Sequence, residues 1–372
     1  MFGLMADIHA HQWTAFATPQ PGGPNSRLQG LLDEIVRACK ELNEADGYHM
    51  VMAGDVFHVR GSVDPIVLNS LIDTLALCNE KYMTQFTIIP GNHDLVGSDS
   101  TRLGSAVTAL EAPHVKVTAQ WCELTGSETG MEGSVFLVPW FESIDDLKAE
   151  IMRIVENIVV AVDAEHVGRC DLILHAPIDG VIEGLPAHHL TPEWLASMGF
   201  RRVFSGHYHN HKKFTPAAGR DVYSIGALAH HSWSDCKSRA GFLLVDDTTV
   251  TWRKSHLPQF VDLGQLALLD PEEVPLVVDG NFVRVKVTAA KSKEVEAARS
   301  ELLAMGAVAV VVQAEPPAAP VREGAAVAAA ASGASLEVSV TEFVKTMKSV
   351  PDAALVSLAA IDVLASLSSL GD

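Results

Sequence analysis

Cysteine is scarce in this chain: 372 residues carry five, at positions 39, 78, 122, 170 and 236, and no two form a CxxC pair. That spacing argues against a disulfide framework and against a thiolate zinc site, and it fits a reducing compartment. No charged n-region followed by an apolar h-region opens the sequence, and no apolar run approaches the ~20 residues that a bilayer span requires. A soluble, cytoplasmic protein with no membrane partner is expected. Positive charge is also in short supply, since 27 Lys and Arg stand against 46 Asp and Glu for a formal net charge of −19. Non-specific nucleic-acid binding rests on cations that neutralise phosphates, so the balance disfavours it unless bound divalent ions invert the local field. Other chemistries lack their signatures. There is no GxxxxGK[ST] loop, no GxSxG elbow and no Cys/His pair in a recognisable context. The basic stretch "GFRRVFSGHYHNHKKF" lacks the aromatic spacing of an RNA-binding sheet.

Histidine, by contrast, is plentiful: there are sixteen, many beside acids where apolar runs end. "MFGLMA" leads to "DIHAH", "YHMVMA" to "GDVFH", "QFTIIP" to "GNHD", "CDLIL" to "HAP" and "FRRVFS" to "GHYHNH". Between these runs lie segments such as "RLQGLLDEIVRACKELNEA" and "DPIVLNSLIDTLALCNEKY", whose apolar residues recur near i, i+3, i+4 and i+7. Alternating strands and helices predict an α/β fold with a sheet buried on both faces, and active residues in such sheets lie beyond the carboxyl ends of strands.

Taken singly, each cluster has a plain alternative: a turn acid, a hydrogen-bonded Asx turn or exposed loop histidines. In "DIHAH", Asp7 and His9 alternate and can point to one side of a strand end, with His11 beside them. Gly54 permits an unusual turn, and Asp55 can bridge two cations with its two oxygens. "GNHD" supplies a turn, a neutral oxygen ligand in Asn92, an imidazole in His93 and a carboxylate, Asp94, to orient it. His175 closes an apolar strand, and His207 and His209 stand two apart after Gly206. Together they offer oxygen and nitrogen ligands and no thiolate, a set for a binuclear site of manganese, iron or zinc more than calcium.

The series DxH, GDxxH, GNHD, H and GHxH resembles the calcineurin-like metallophosphoesterase superfamily over roughly residues 1 to 255. Within it, "GDVFHVRG", "GNHDLVG" and the later "YSIGALAHHSWSD" resemble the SbcD/Mre-type DNA-repair nucleases of bacteria and phages. The resemblance implies a metallophosphoesterase β-sandwich flanked by helices, with two divalent ions, manganese first among the candidates. It implies that Asp7, His9, Asp55 and His209 hold one ion, and that Asp55 bridges to a second held by Asn92, His175 and His207. His93 would be the catalytic histidine oriented by Asp94, and His58 would contact the phosphate. His11 has no role in the pattern. The activity implied is a manganese-dependent exonuclease on duplex ends with endonuclease action on single strands, in DNA recombination, repair or phage DNA processing. The partners implied are DNA and an SbcC/Rad-type coiled-coil ATPase, with a homodimer left open. Arg201, Arg202, Lys212 and Lys213 flank the GHYH loop as candidate DNA contacts or as solvated surface charge.

Four segments are expected: a nuclease domain over 1–257, an α+β cap over 258–314, a Pro/Ala/Gly-rich linker over 315–335 and a helical tail over 336–372. "NFVRVKVTA" and "VAVVVQAE" read as strands flanking the helix "KEVEAARSELLAMGA". The tail has Leu355, Leu358, Ile361 and Leu364 along one side, suited to docking on a partner or folding back on the cap. Two rival functions are a phosphatase or phosphodiesterase acting on a nucleotide or phosphoprotein, and a non-catalytic scaffold subunit. The long accessory region disfavours the first, and the full ligand set disfavours the second.

Overall fold

A computed structural model describes residues 1–265, 270, 272–288 and 292–315; the expected linker past Glu315 and the expected tail lie outside the described residues. The strands are β1 (Phe2–Met5), β2 (His49–Ala53), β3 (Gln85–Ile89), β4 (Val115–Val117), β5 (Cys122–Leu124), β6 (Val135–Val138), β7 (Asp171–His175), β8 (Arg202–Gly206), β9 (Lys212–Phe214), β10 (Asp221–Ser224), β11 (Gly241–Val245) and β12 (Val250–Lys254). They form two six-stranded sheets, ordered β12-β11-β1-β2-β3-β4 and β5-β6-β7-β8-β10-β9. The central strands of each sheet are parallel, and β11, β12, β5 and β9 add antiparallel edges.

Alternation along the strands explains how the sheets stack. In β1 and β2 the side chains of Phe2, Leu4, Val51 and Ala53 enter one core, which they share with Leu137, Ile173 and Phe204 of the second sheet. Met5, Met50 and Met52 enter another, against the helices α1 (Ser26–Glu44) and α2 (Pro65–Tyr82). Alternate residues of a strand point to opposite faces, so each central strand serves two cores and reads as a nearly continuous apolar run. A third core seats the helix Ile144–Ala161 on the outer face of the second sheet. The result is a two-sheet sandwich flanked by helices, as the resemblance implies; the residue pattern alone predicts the α/β class.

Both long helices have legible starts. Asn25 accepts the Leu28 N–H at 3.0 Å, and Asp64 accepts the Ile66 N–H at 2.7 Å just before Pro65. Past residue 258 three further strands, β13 (Phe260–Gln265), β14 (Phe282–Thr288) and β15 (Ala309–Glu315), pair in parallel around their own small core. The sequence predicts two of these strands and the helix between them, which spans Ser292–Ala304; β13 and the short helix Val274–Val278 are additions. Among the described residues, no helix is long and apolar enough to cross a membrane.

Candidate metal centre

Because the central strands of each sheet run parallel, the loops leaving their carboxyl ends gather at one edge. β1 ends before Asp7 and His9, β2 before Asp55 and His58, and β3 before Asn92, His93 and Asp94. β7 ends on His175, and β8 leads into His207 and His209. The chain leaves its strand conformation abruptly here: Asp7, His9, Asp55 and His207 have φ of 50°, 45°, 52° and 98°. Each left-handed non-glycine residue costs on the order of 1–3 kcal/mol and persists only where its surroundings fix it. The fixing bonds are Asp7 N–H to Gly54 O at 3.1 Å and His9 N–H to Asp55 O at 2.9 Å. Glycine keeps the space open. A Cβ on Gly54, whose φ is +87°, would lie 2.2 Å from His175 Nδ1, and one on Gly91 would lie 2.3 Å from Asp55 Oδ1.

Into that space the donor atoms converge. Asp55 Oδ2 stands 3.7 Å from His9 Nε2 and 3.5 Å from His175 Nε2, while Asp55 Oδ1 accepts the His93 N–H at 2.7 Å. His9 Nε2 and His209 Nε2 are 3.2 Å apart. On the other side, Asn92 Oδ1 lies 3.3 Å from His175 Nε2 and 3.0 Å from His207 Nδ1. Ligand atoms of Asp7, His9 and His209 fall within 4.8 Å of one another, as do those of Asp7, Asp55 and His175, and those of His9, His58 and His93. Oxygen and imidazole nitrogen atoms without a thiolate form a donor set that fits divalent transition metals.

Outer contacts fix the direction of the rings. His175 Nδ1–H donates to Ala53 O at 2.8 Å and His209 Nδ1–H to Asp235 Oδ1 at 2.8 Å, so both rings turn Nε2 inward. Among the described residues, His9 Nδ1 is buried without a hydrogen-bond partner. His231 Nε2 is 3.0 Å from the Asp7 carbonyl, and Asp235 also accepts the His231 N–H at 2.8 Å and the Ser232 N–H at 3.0 Å.

The electrostatics describe a site short of positive charge at its centre. Burial pushes Asp7 up to about 6 against the pull of His175 and His209, and pushes Asp94 up to about 7 with help from the Asp55 charge. Burial also opposes ionisation of Asp55, yet His175, His9 and the His93 N–H outweigh it and hold this carboxyl below the usual range. In the reciprocal sense His175 rises to about 9: burial disfavours its cation, but Asp55 and Asp7 overcome that. His207 falls to about 3 by burial and the neighbouring His175, and His58 falls to about 4 by burial, His11 and His93. His209 is raised as well: burial opposes its cation, but the hydrogen bond to Asp235 and the Asp7 charge outweigh that, and a bound cation would take the place of these protons beside the buried carboxyls.

His93 does not have the partner that the sequence suggests. Its Nδ1 bonds to the His58 carbonyl at 2.7 Å, whereas Asp94 accepts the N–H groups of Val56, Phe57 and Gly91 at 3.2, 2.9 and 2.9 Å. Asp94 therefore shapes the Asp55–His58 loop and reaches His93 only through it. The reason is depth: Asp94 is fully buried under the loop, where backbone donors outnumber any ring. The His58 ring packs on Trp13 at 4.3 Å and lies parallel to His93 at 5.6 Å, and His11 lies outside this stack against Trp13 and His58. Opposite them, Trp140 stacks on His207 at 5.3 Å.

The four candidate cations for DNA are engaged elsewhere. Arg201 and Arg202 clamp the fully buried Asp171 at 2.8 and 2.7 Å, at the amino ends of β7 and β8 and so at the far edge of the sheet from the histidines. Lys213 pairs with Asp221 at 2.7 Å, and Lys212 donates to Gly180 O at 2.6 Å. Sequence adjacency misleads here because one strand separates Arg202 from His207. Sequence reasoning gives no role to Asp235, His231, Trp13 or Trp140. Only Asp235 has a local signal, the "SWSD" spacing in which Ser232 and Asp235 form a capping box.

Comparisons with known proteins bear on the same residues. No curated protein matches the chain. Among solved structures, a dimetal phosphatase from Danio rerio shares 11% identity with a TM-score of 0.42, covering 68% of this chain and 95% of its own. TT1561 of Thermus thermophilus shares 10% identity with a TM-score of 0.41, covering 68% of this chain and 97% of its own. The family model for calcineurin-like phosphoesterases matches residues 1–211, the stretch that carries every strand-end cluster from Asp7 to His209. With its donor groups gathered at one edge of a two-sheet sandwich and that model spanning more than half its length, the chain belongs to the calcineurin-like phosphoesterase family.

Proposed function

We propose that this phosphoesterase is a nuclease of the SbcD/Mre type, hydrolysing phosphodiester bonds of DNA with two divalent ions, manganese first among them. Asp7, His9, Asp55 and His209 would hold one ion and Asp55, Asn92, His175 and His207 the other. Such a pair supplies a water of lowered pKa and neutralises phosphate charge. The chain's own groups do the rest. As an imidazolium, His93 keeps its Nδ1 proton on the His58 carbonyl and offers its Nε2 proton to the leaving oxygen. After transfer the same carbonyl holds the neutral ring in one tautomer. His58 faces the phosphate from the loop that also carries Asp55, and Asp94 keeps that loop in place through its three backbone bonds.

One observation favours a diester over a monoester. Among the described residues, no lysine or arginine hydrogen-bonds or ion-pairs with Asp7, Asp55, Asn92 or Asp94, or with the histidines at 9, 58, 93, 175, 207 and 209. Aromatic rings flank the site instead, with Trp13 on His58 and Trp140 on His207. A dianionic monoester calls for fixed cations, whereas a diester carries one negative charge and two organic arms that flat rings accommodate. By the same proposal the 258–314 unit aids DNA recognition, and the 336–372 tail docks on a coiled-coil ATPase; removal of the tail is expected to spare hydrolysis of a small diester and end co-purification with that partner.

The test is cleavage of end-labelled linear duplex and single-stranded DNA with manganese, beside a generic small diester and a phosphomonoester, with His93→Ala as control. Manganese-dependent shortening of DNA that the variant lacks is expected. Intact DNA alongside a hydrolysed small ester, with candidate partners present, would sink the nuclease assignment and return the site to phosphatase or phosphodiesterase chemistry.

A further inference from the structure

A cavity of about 210 Å³ adjoins the centre where the nuclease sheets meet the strands after residue 258. It shares Trp13 and His231 with the surroundings of the metal-ligating groups, and its other walls include Phe16, Arg27, Leu257 and Phe282. Three features make it more than a packing gap. Phe16 stacks on Phe282 at 5.1 Å, so the wall presents aromatic faces held in register. The Arg27 guanidinium lies 5.5, 5.2 and 5.6 Å from the rings of Trp13, Phe260 and Phe282, and it donates to the carbonyls of Ala15, His230 and His231 at 3.3, 3.3 and 3.1 Å. Among the described residues it has no ion pair, so a half-buried cation lines an apolar cavity with no carboxylate bound to it.

We propose that this cavity holds one unpaired nucleobase of the strand whose phosphate lies at the metal centre. The inference rests on the nucleic-acid reading above and deepens it by naming a base subsite. Size limits the occupant: pockets for whole small-molecule ligands run to roughly 300–1,000 Å³, and this one admits a single ring system. Chemistry limits it further. Aromatic faces stack on any base, the guanidinium has N–H groups beyond the three bonded to carbonyls for a carbonyl or ring-nitrogen acceptor, and a base is neutral, so no counter-charge is required. A duplex end cannot insert a paired base here, so the strand enters frayed or single.

The experiment uses the full chain with manganese and short single-stranded oligonucleotides that carry one abasic site, moved a nucleotide at a time across the cleaved bond. A single position, one or two nucleotides from that bond, is expected to raise KM on the order of tenfold, the scale of one lost stacking contact. Arg27→Met is expected to raise KM for the intact oligonucleotide similarly, to add nothing to the abasic effect at that position, and to leave hydrolysis of a small diester unchanged. With wild type, 2-aminopurine at the same position is expected to be quenched on binding, a reading that needs no variant. Cleavage indifferent to every abasic position, with unquenched 2-aminopurine, overturns the base subsite while the nuclease reading stands. Failure to cleave any oligonucleotide, with the small diester still hydrolysed, overturns both.

Discussion

Two fully or nearly buried carboxylates at opposite ends of the same sandwich show how one chemical group serves two ends. Asp171, at the amino end of β7, is met by both Arg201 and Arg202 in paired hydrogen bonds, and its charge is fully balanced by the chain itself. Asp55, beyond the carboxyl end of β2, is met by a backbone N–H and by the edges of two imidazoles at 3.5 and 3.7 Å, distances too long for good hydrogen bonds. The first site is closed and holds the sheet together. The second is left open at a cost in backbone strain, with four residues at positive φ, and a bound cation would complete its balance.

That contrast can be broken by substitution. The largest effect is expected at Asp55: Asp55→Ala should abolish hydrolysis and lower the metal content below two ions per chain by elemental analysis, with the fold retained by circular dichroism. A variant still holding two ions would show that Asp55 bridges nothing. His93→Ala is expected next, lowering kcat roughly 10²–10⁴-fold while two ions remain bound, since it removes a proton donor and no ligand. Asp171→Ala should act on the other property entirely. It leaves the buried Arg202 without a carboxylate beside the half-buried Arg201, which keeps Asp247, and is expected to cost about 3–5 kcal/mol in denaturant unfolding, with activity per folded molecule unchanged. Asp235→Asn sharpens the comparison more gently: weakening the acceptor at His209 Nδ1 is expected to lower metal affinity roughly 10–100-fold without emptying the site at saturating metal.

Protons provide the finest test. In the metal-free site His175 sits near 9, above its ordinary 6.5, so the stability drawn from its pairing with Asp55 is fully present below 6.5 and is lost as pH rises through about 9. Metal binding runs the opposite way, because the ligating ring must be neutral: affinity should rise about tenfold per pH unit up to about 9, and more steeply below about 6, where Asp7 is also protonated. Calorimetry of manganese binding near pH 8 in buffers of differing ionisation enthalpy should report about one proton released from His175, with His209, also raised, adding to it. No proton release would remove the His175–Asp55 pair from the account of the metal-free site.

The amino-acid order by itself determined the layered α/β class, because apolar runs of strand length alternate with helical periodicity and each run ends in Gly, Asp, Asn or His. It also put Asp7, His9, Asp55, Asn92, His175, His207 and His209 at strand ends, and groups placed after parallel strands have only one edge to occupy. Tertiary structure alone decided the roles that depend on which loops touch. It gave Asp94 to the backbone of the Asp55 loop and gave His93 the His58 carbonyl, a choice made across 35 residues of sequence. It turned Arg201 and Arg202 to the far end of the sheet, and it brought Asp235 to His209 across 26 residues. Local sequence sets strand ends and helix caps because those depend on neighbours within a turn. Which buried donor meets which acceptor depends on how two sheets stack, and that is settled only when both cores close.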